Sequence, residues 1–260
     1  TDGPHGVRSS DAETGRKVGP ATSFPTGISM ASSWNTELIR RVGVALAEET
    51  KAMGCHVLLG PCVNIIRHPL AGRNFESFSE DPYLAGATGI AYVDGVQSQN
   101  VGTSLKHFAC NNQEIERHRG SSVVDERTLR EIYLAQFEMI VKEAKPWTVM
   151  CSYNRVNGVY TSEHRHLLTE ILRNEWGFDG VIVSDWGATH STAPAKNAGL
   201  DLEMPGPAKH FGTLLVEAAQ NFLVDTGTID ESVRRILMLL YKAGKLGNPE
   251  TIAPGAINTP

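Results

Sequence analysis

The stretch Val181-Ile-Val-Ser-Asp-Trp-Gly187 joins an apolar run to a carboxylate and a turn residue. Three β-branched residues in succession predict a buried strand, which we place at Val181–Trp186. A carboxylate at the end of such a strand is costly to bury unless it has a purpose there. Asp185 is therefore a nucleophile toward an electrophilic carbon, a metal ligand, or the cap of a helix near Thr189. Because the sequence has no HExxH motif or clustered His and Asp ligands nearby, the metal role is the weaker one.

Short apolar runs of this kind alternate with amphipathic patterns along the whole chain. The predicted strands are Phe24–Met30, His56–Val63, Thr103–Phe108, Thr148–Tyr153, Val181–Trp186 and Leu200–Met204. The predicted helices are Asn35–Met53, Asp125–Ala144, His164–Trp176, Lys209–Leu223 and Asp230–Ala243, with Asp125 and Asp230 as N-caps and Gly244 ending the last one. Several strands are apolar throughout, as is typical of parallel strands covered on both faces. The alternation predicts a parallel α/β fold.

The residues that close the apolar runs favour a barrel over a doubly wound sheet. No GxGxxG or GxxxxGK[ST] motif follows the early strands, which disfavours the usual nucleotide-binding folds. Polar groups instead close several runs: Lys106-His107, Tyr153-Asn154, Ser184-Asp185-Trp186 and Glu203. A TIM-type (β/α) barrel places its functional residues at these strand ends. We therefore expect a TIM-type barrel domain over residues 1–247.

Both ends of the chain resemble cuts in a longer polypeptide. Asp2-Gly-Pro4 has the composition of a strand tip whose body would precede Thr1, so the barrel is expected to lack most of its first β/α unit. Residues 248–260, which are rich in Pro and polar residues, are interpreted as the start of a linker to a following domain.

Composition and charge exclude several classes of partner. The 260 residues are 41% hydrophobic and 20% charged, which is typical of a globular protein. A net charge of −5 argues against nucleic acid or an anionic membrane as the main partner. No apolar run is long enough to predict a membrane span. A small neutral or polar ligand is the expected partner, and the sequence leaves a homodimer open.

Further candidate site residues lie near the ends of other runs. Lys106 and His107 could both reach one pocket at a strand end, or form a structural ion pair. Lys106 could also form a Schiff base, which would make the protein a lyase or aldolase. Arg73 could present forked donors to ligand oxygens, with Glu76 as its partner or as an acceptor from a ligand hydroxyl. Taken alone, Met150, Tyr153 and Trp186 are more often core residues than site residues.

Five groups of residues, in order along the chain, together resemble glycoside hydrolase family 3, and most of all its microbial β-glucosidases. They are Asp2-Gly-Pro-His-Gly6; Gly72-Arg-Asn-Phe-Glu76 with Ser79-Glu-Asp-Pro-Tyr83; Lys106-His-Phe108; Gly177-Phe-Asp-Gly-Val181 with Ser184-Asp-Trp186; and Gly199-Leu-Asp-Leu-Glu-Met-Pro-Gly206. Each motif is weak alone, but the ordered set is specific and runs from Asp2 to about Gly247.

The resemblance implies retaining hydrolysis of β-glucosides through a covalent glycosyl-enzyme, with no cofactor and no metal. By the matching motif, Asp185 is the nucleophile. Asp2, Arg73, Lys106 and His107 would bind the sugar hydroxyls, and Met150, Tyr153 and Trp186 would line the same subsite. Tyr153 is placed to contact Asp185, and Glu76 supports Arg73.

Retention also requires a second carboxyl group that protonates the leaving oxygen. In β-glucosidases of this family that group comes from a following α/β sandwich domain, so we expect the remainder of the same enzyme to supply it. The N-acetylglucosaminidase branch instead carries an Asp-His pair in a loop after the Lys-His-Phe motif, and Lys106-His-Phe-Ala-Cys-Asn-Asn-Gln-Glu114 lacks that pair. The acids that could be nominated inside the chain are Glu114, Glu163 and Glu203. A β-xylosidase or another β-glycosidase, and a non-catalytic sugar-binding barrel, remain alternatives.

Overall fold

A computed structural model of the chain describes residues 1–8 and 20–246. Its strands are β1 (Val57–Leu58), β2 (Gly102–Phe108), β3 (Ser121–Ser122), β4 (Thr148–Cys151), β5 (Arg155–Val156), β6 (Val159–Tyr160) and β7 (Val181–Val183). The order β1-β2-β4-β7 forms the main sheet, in which every neighbouring pair is parallel. The predicted parallel α/β class is confirmed.

The main sheet continues at both edges through single bridges. Asp2 pairs with Leu59 beside β1, and Leu202 pairs with Val183 beside β7. Within residues 1–8 and 20–246 no ladder or bridge joins these two edges, so the sheet is open. The expected linker at residues 248–260 lies outside the described residues.

Helices cover the sheet between its strands. They are α1 (Gly27–Ala31), α2 (Thr36–Ala52), α3 (Pro82–Gln97), α4 (Glu126–Thr128), α5 (Ala135–Glu143), α6 (Ala193–Ala198), α7 (Thr213–Gln220) and α8 (Thr226–Lys242), with π-helical segments at Leu129–Tyr133 and His166–Glu175. Asn35 caps α2 by accepting from Leu38 N–H at 3.0 Å. Asp125 caps α4 as predicted, accepting from Thr128 N–H at 3.0 Å. No helix among the described residues is both long and apolar enough to cross a membrane.

Two of the predicted strands were wrong. Within Phe24–Met30, residues 24–26 are irregular and α1 begins at Gly27; the buried residues of α1 are Gly27, Met30 and Ala31. This i, i+3, i+4 spacing is the period of a helix, and five residues were too few to reveal it. Leu200–Met204 forms only the bridge at Leu202, because Pro205 follows it at once.

Two helix predictions were also incomplete. The last helix begins earlier than expected, since Asp225 rather than Asp230 is its N-cap and accepts from Gly227 N–H at 2.7 Å. The helix α3 was not predicted. It is apolar around most of its circumference and is packed against both α2 and α5, so its sequence lacks the polar stripe of a surface helix. Close packing on α2 requires Gly43, where a Cβ atom would lie 2.7 Å from the Tyr92 carbonyl oxygen.

Candidate active site

All of the predicted site residues line one cavity of about 940 Å³, which extends along the sheet from the first residues of β1, β4 and β7 to the carboxyl ends of the parallel strands. They are Asp2, Arg73, Glu76, Lys106, His107, Met150, Tyr153, Asp185 and Trp186. The sheet explains the convergence, because β2, β4 and β7 are parallel neighbours and their carboxyl ends share one edge. The structure therefore brings together residues separated by up to 184 positions in the sequence.

Asp2 and Lys106 form an ion pair at one side of the cavity. Lys106 Nζ lies 2.6 Å from Asp2 Oδ1, and the Lys106 side chain is only 3% exposed. Arg8 contacts the other oxygen, Asp2 Oδ2, at 3.0 Å. Burial alone would raise the pKa of Asp2, but the Lys106 charge and hydrogen bond outweigh it and lower that pKa. Asp2 is thus held as a carboxylate that accepts hydrogen bonds.

Arg73 links Glu76 to His107. Its Nη2 lies 2.6 Å from Glu76 Oε1 and 3.0 Å from His107 Nε2. Burial lowers the pKa of His107 well below its usual value, and the nearby positive charge of Arg73 lowers it further. The ring is therefore neutral, and the predicted contact between Glu76 and Arg73 is present.

Asp185 lies two residues beyond the end of β7. Its Oδ1 accepts from the Trp186 backbone N–H at 2.8 Å. Its Oδ2 is buried, has no hydrogen-bond partner among the described residues, and lies 3.7 Å from His107 Nε2. Burial raises the pKa of this carboxyl group, although the Trp186 N–H bond and the Lys106 charge act in the opposite direction. An incompletely solvated carboxylate of this kind is a strong nucleophile.

The three remaining predicted residues form the walls of the cavity. Met150 is 1% exposed and Tyr153 is 8% exposed, whereas Trp186 is half-buried. The Tyr153 hydroxyl donates to the Trp186 carbonyl oxygen at 3.1 Å, and it also lies close enough to Asp185 for a side-chain interaction that lowers the pKa of that carboxyl group. Burial and the neighbouring Asp185 charge raise the pKa of Tyr153. The phenol therefore stays protonated and can hold the backbone beside Asp185.

None of the three nominated internal acids lines this cavity. Glu114 pairs with Arg117 at 2.7 Å and lines a separate cavity of about 990 Å³. Glu163 accepts from the Ser191 hydroxyl. Glu203 accepts from three successive backbone N–H groups, those of residues 209–211, at 2.7 to 3.1 Å. Each carboxyl group is committed to a structural partner.

Cys62, Glu76 and His107 place potential ligand atoms within 4.8 Å of one another. Arg73 already contacts two of the three, Glu76 and His107, with its own positive charge. Burial raises the pKa of the Cys62 thiol to about 12, so it is not a thiolate near neutral pH. These residues do not fit a metal ion.

The similarity of this chain to known proteins is not confined to the site residues. A family model described as the glycosyl hydrolase family 3 N-terminal domain matches residues 6–239. The chain belongs to this family.

Relatives of this family 3 chain are similar along nearly all of it. A β-glucosidase of Rhizobium radiobacter is 52% identical over 262 residues, which cover 100% of the chain and 32% of the relative. An exo-α-(1→6)-L-arabinopyranosidase of Bifidobacterium longum is 51% identical, covering 93% of the chain and 32% of the relative. The structure of β-glucosidase 3B from Thermotoga neapolitana in complex with glucose matches with a TM-score of 0.86 at 44% identity, covering 94% of the chain and 35% of that protein. The family 3 chain thus spans about a third of the length of these relatives.

Proposed function

We propose that this chain is the nucleophile-bearing domain of a retaining β-glucosidase that releases terminal, non-reducing β-D-glucose. The observation that carries the proposal is Asp185, whose Oδ2 is buried and unpaired among the described residues in a cavity lined by hydroxyl-binding groups. The β-glucosidase relatives support the same activity.

Asp185 performs the first step by attacking the anomeric carbon. The C1–O bond to the aglycone breaks, the leaving oxygen takes a proton from an acid, and a glycosyl ester forms on Asp185. Water then hydrolyses the ester, and the former acid acts as base. The cavity carboxylates in the described residues are Asp2, Glu76 and Asp185, and the first two are ion-paired. We therefore assign the acid to polypeptide outside this chain.

The other cavity residues bind and orient the sugar. Asp2 accepts from hydroxyl groups, while Lys106 and Arg73 donate charge-assisted hydrogen bonds to hydroxyl oxygens. His107 accepts through Nε2 of its neutral ring. Met150 and Trp186 provide apolar surface for the C–H groups of the ring.

The name of one relative supports a second class of sugar substrate. A relative that is 51% identical is named an arabinopyranosidase, and an arabinopyranose ring lacks the hydroxymethyl group of glucose. A pentopyranosidase activity, including that of a β-xylosidase, is therefore the alternative substrate class. Competition between aryl β-glucoside, aryl β-xyloside and aryl α-L-arabinopyranoside distinguishes them.

The domain boundaries follow from the same proposal. Residues 1–247 form a TIM-type barrel that is completed by a β/α unit packed between the Asp2 and Leu202 edges of the sheet. Residues 248–260 begin a linker to a sandwich domain that carries the acid. The open sheet and the coverage of about a third of each relative support this arrangement.

Trapping the covalent intermediate tests the proposed function. The full-length enzyme is treated with an activated 2-deoxy-2-fluoro-β-glucoside, and the labelled peptide is mapped by mass spectrometry. We expect one sugar ester on Asp185 and none in Asp185→Asn, whose turnover falls by at least about 10⁴-fold. Absence of any ester would indicate a sugar-binding protein. Borohydride trapping of a carbonyl substrate on Lys106 would indicate the Schiff-base alternative.

A further inference from the structure

Asn64 contacts both the backbone and the ring of His107. Its Oδ1 accepts from the His107 backbone N–H at 3.0 Å, and its Nδ2 donates to the His107 carbonyl oxygen at 2.8 Å. These two bonds fix which side-chain atom of Asn64 is the oxygen. The same Oδ1 lies 3.2 Å from Nδ1 of the His107 ring. Because an amide oxygen can only accept, Nδ1 must carry the proton.

Arg73 fixes the state of the other ring nitrogen. Its Nη2 lies 3.0 Å from His107 Nε2, and a guanidinium can only donate, so Nε2 presents a lone pair. Contacts at both ends of the ring thus require the same neutral tautomer. The titratable and charged groups that face the ring are Cys62, Arg73, Glu76, Lys106, Arg117 and Asp185. Three of these six are cations, which oppose a further proton on the ring, and the carboxylate of Glu76 is ion-paired with one of them, Arg73.

The tautomer matters because Nε2 lies 3.7 Å from the unpaired Oδ2 of Asp185. With the opposite tautomer, an Nε2–H group would face that carboxylate and reduce its nucleophilicity by hydrogen bonding. We infer that Asn64 is a positioning residue, which holds His107 in the Nδ1–H tautomer so that the ring leaves Asp185 free to attack. This inference rests on the proposed role of Asp185.

The tautomer can be read directly, without substrate. Full-length enzyme labelled with ¹⁵N-histidine is measured by solid-state NMR, and the His107 signals are those lost in His107→Gln. We expect an unprotonated Nε2 in the wild type. Asn64→Leu removes all three Asn64 contacts and leaves Arg73 as the remaining constraint on the ring, so we expect a partial population with Nε2–H. A wild-type ring protonated on Nε2, or the wild-type tautomer alone in Asn64→Leu, would overturn the inference.

Asn64→Asp supplies a second readout if Asn64→Leu does not fold. This variant keeps an acceptor for Nδ1–H but adds a negative charge beside it, which raises the pKa of His107. We expect the acid limb of kcat/KM to move to higher pH, because the doubly protonated ring carries Nε2–H. Asn154→Asp is the matched control, since Asn154 is also a buried amide, whose side-chain partners among the described residues are the Ala109 and Arg155 carbonyls. An unshifted acid limb in Asn64→Asp contradicts the inference.

Kinetics separate positioning from a merely structural role. We expect Asn64→Leu to slow formation of the glycosyl-enzyme by about 10- to 100-fold with little change in KM. A lower yield of folded Asn64→Leu protein, with the same turnover per active site as the wild type, would contradict this expectation. Labelling of Asp185 tests the proposed function separately, since the NMR measurement needs no reaction.

Discussion

Asp185 and Asp2, two of the three carboxyl groups that line the cavity, experience opposite environments. Burial raises the pKa of Asp185, whose Oδ2 is unpaired among the described residues, whereas Lys106 overcomes the burial of Asp2 and lowers its pKa. The ionised form of Asp185 therefore destabilises the folded state, and the ionised form of Asp2 stabilises it. This is the arrangement expected of a nucleophile held beside a binding group.

Replacing Asp185 by its neutral isostere should stabilise the protein. The raised pKa means that wild-type stability falls as pH rises from the ordinary value near 3.8 through the folded-state pKa. Asp185→Asn removes this cost, so its thermal midpoint at pH 7 should be higher than that of the wild type. Its free energy of unfolding should be larger by roughly 1–3 kcal/mol. The difference should vanish in acid. Asp2→Asn is the opposite control and should lower the midpoint at pH 7. A destabilised Asp185→Asn would contradict the assignment.

The Asp2–Lys106 pair should act as one unit in binding. Lys106→Ala leaves Arg8 as the ion-pair partner of Asp2 in the described part of the chain, so we expect kcat/KM to fall by about 10²-fold through lost charge-assisted bonds. Asp2→Asn should cost a similar factor. The double variant should lose much less than the product of the two, because the residues share one contact. Additive losses in this double-mutant cycle would show that they act independently.

At the level of secondary structure, Glu203 secures the loop that follows the Leu202 bridge. Its carboxylate binds the backbone N–H groups of residues 209–211, and Met204, Pro205 and Gly206 of this loop line the cavity. A carboxylate that accepts several N–H bonds is a structural anchor rather than a proton donor.

The variant Glu203→Gln distinguishes a structural role of Glu203, as anchor of the loop, from a catalytic role as general acid. The amide keeps the shape but weakens the bonds to the loop, so we expect a loss of about 1–3 kcal/mol in unfolding free energy. The fractional loss of kcat/KM should be equal for aryl glucosides with good and poor leaving groups. A general acid behaves differently, since its loss is masked by a good leaving group. Strong leaving-group dependence in Glu203→Gln would restore Glu203 as an acid.

At the level of secondary structure, part of the fold could be predicted from the sequence and part could not. The sequence identified the strands with long apolar runs, such as β2, and the polar residues at their ends. It could do so because hydrophobic periodicity and the pattern of burial are local properties of the chain. The apolar helix α3 was not, since nothing in its own pattern specifies that α2 and α5 cover it. Asn64 carries no signal at all. Its role depends on His107, 43 positions away, and appears only when β1 and β2 lie side by side.

For the whole molecule, α8 leaves an apolar stripe exposed. Val233, Leu237, Leu240 and Tyr241 follow the i, i+4, i+7, i+8 spacing of one helix face and are 38–67% exposed. The same helix contacts β7, next to the open edge of the sheet. A stripe of this kind usually packs against another element. The proposed β/α unit that closes the barrel fits this position.

Residues 1–260 expressed alone should therefore bind a hydrophobic dye and release little aryl glucoside, because we assign both the covering unit and the acid to other polypeptide. Leu237→Glu places a charge in the stripe. In the isolated chain it should reduce dye binding, but in the full-length enzyme it should lower the thermal midpoint, since the proposed β/α unit would cover the side chain there. Lys242→Gln, an exposed position on the same helix, is the control and should change neither property. Turnover by the isolated chain equal to that of the full-length enzyme, or a full-length enzyme indifferent to Leu237→Glu, would show that the described residues already form the whole functional unit.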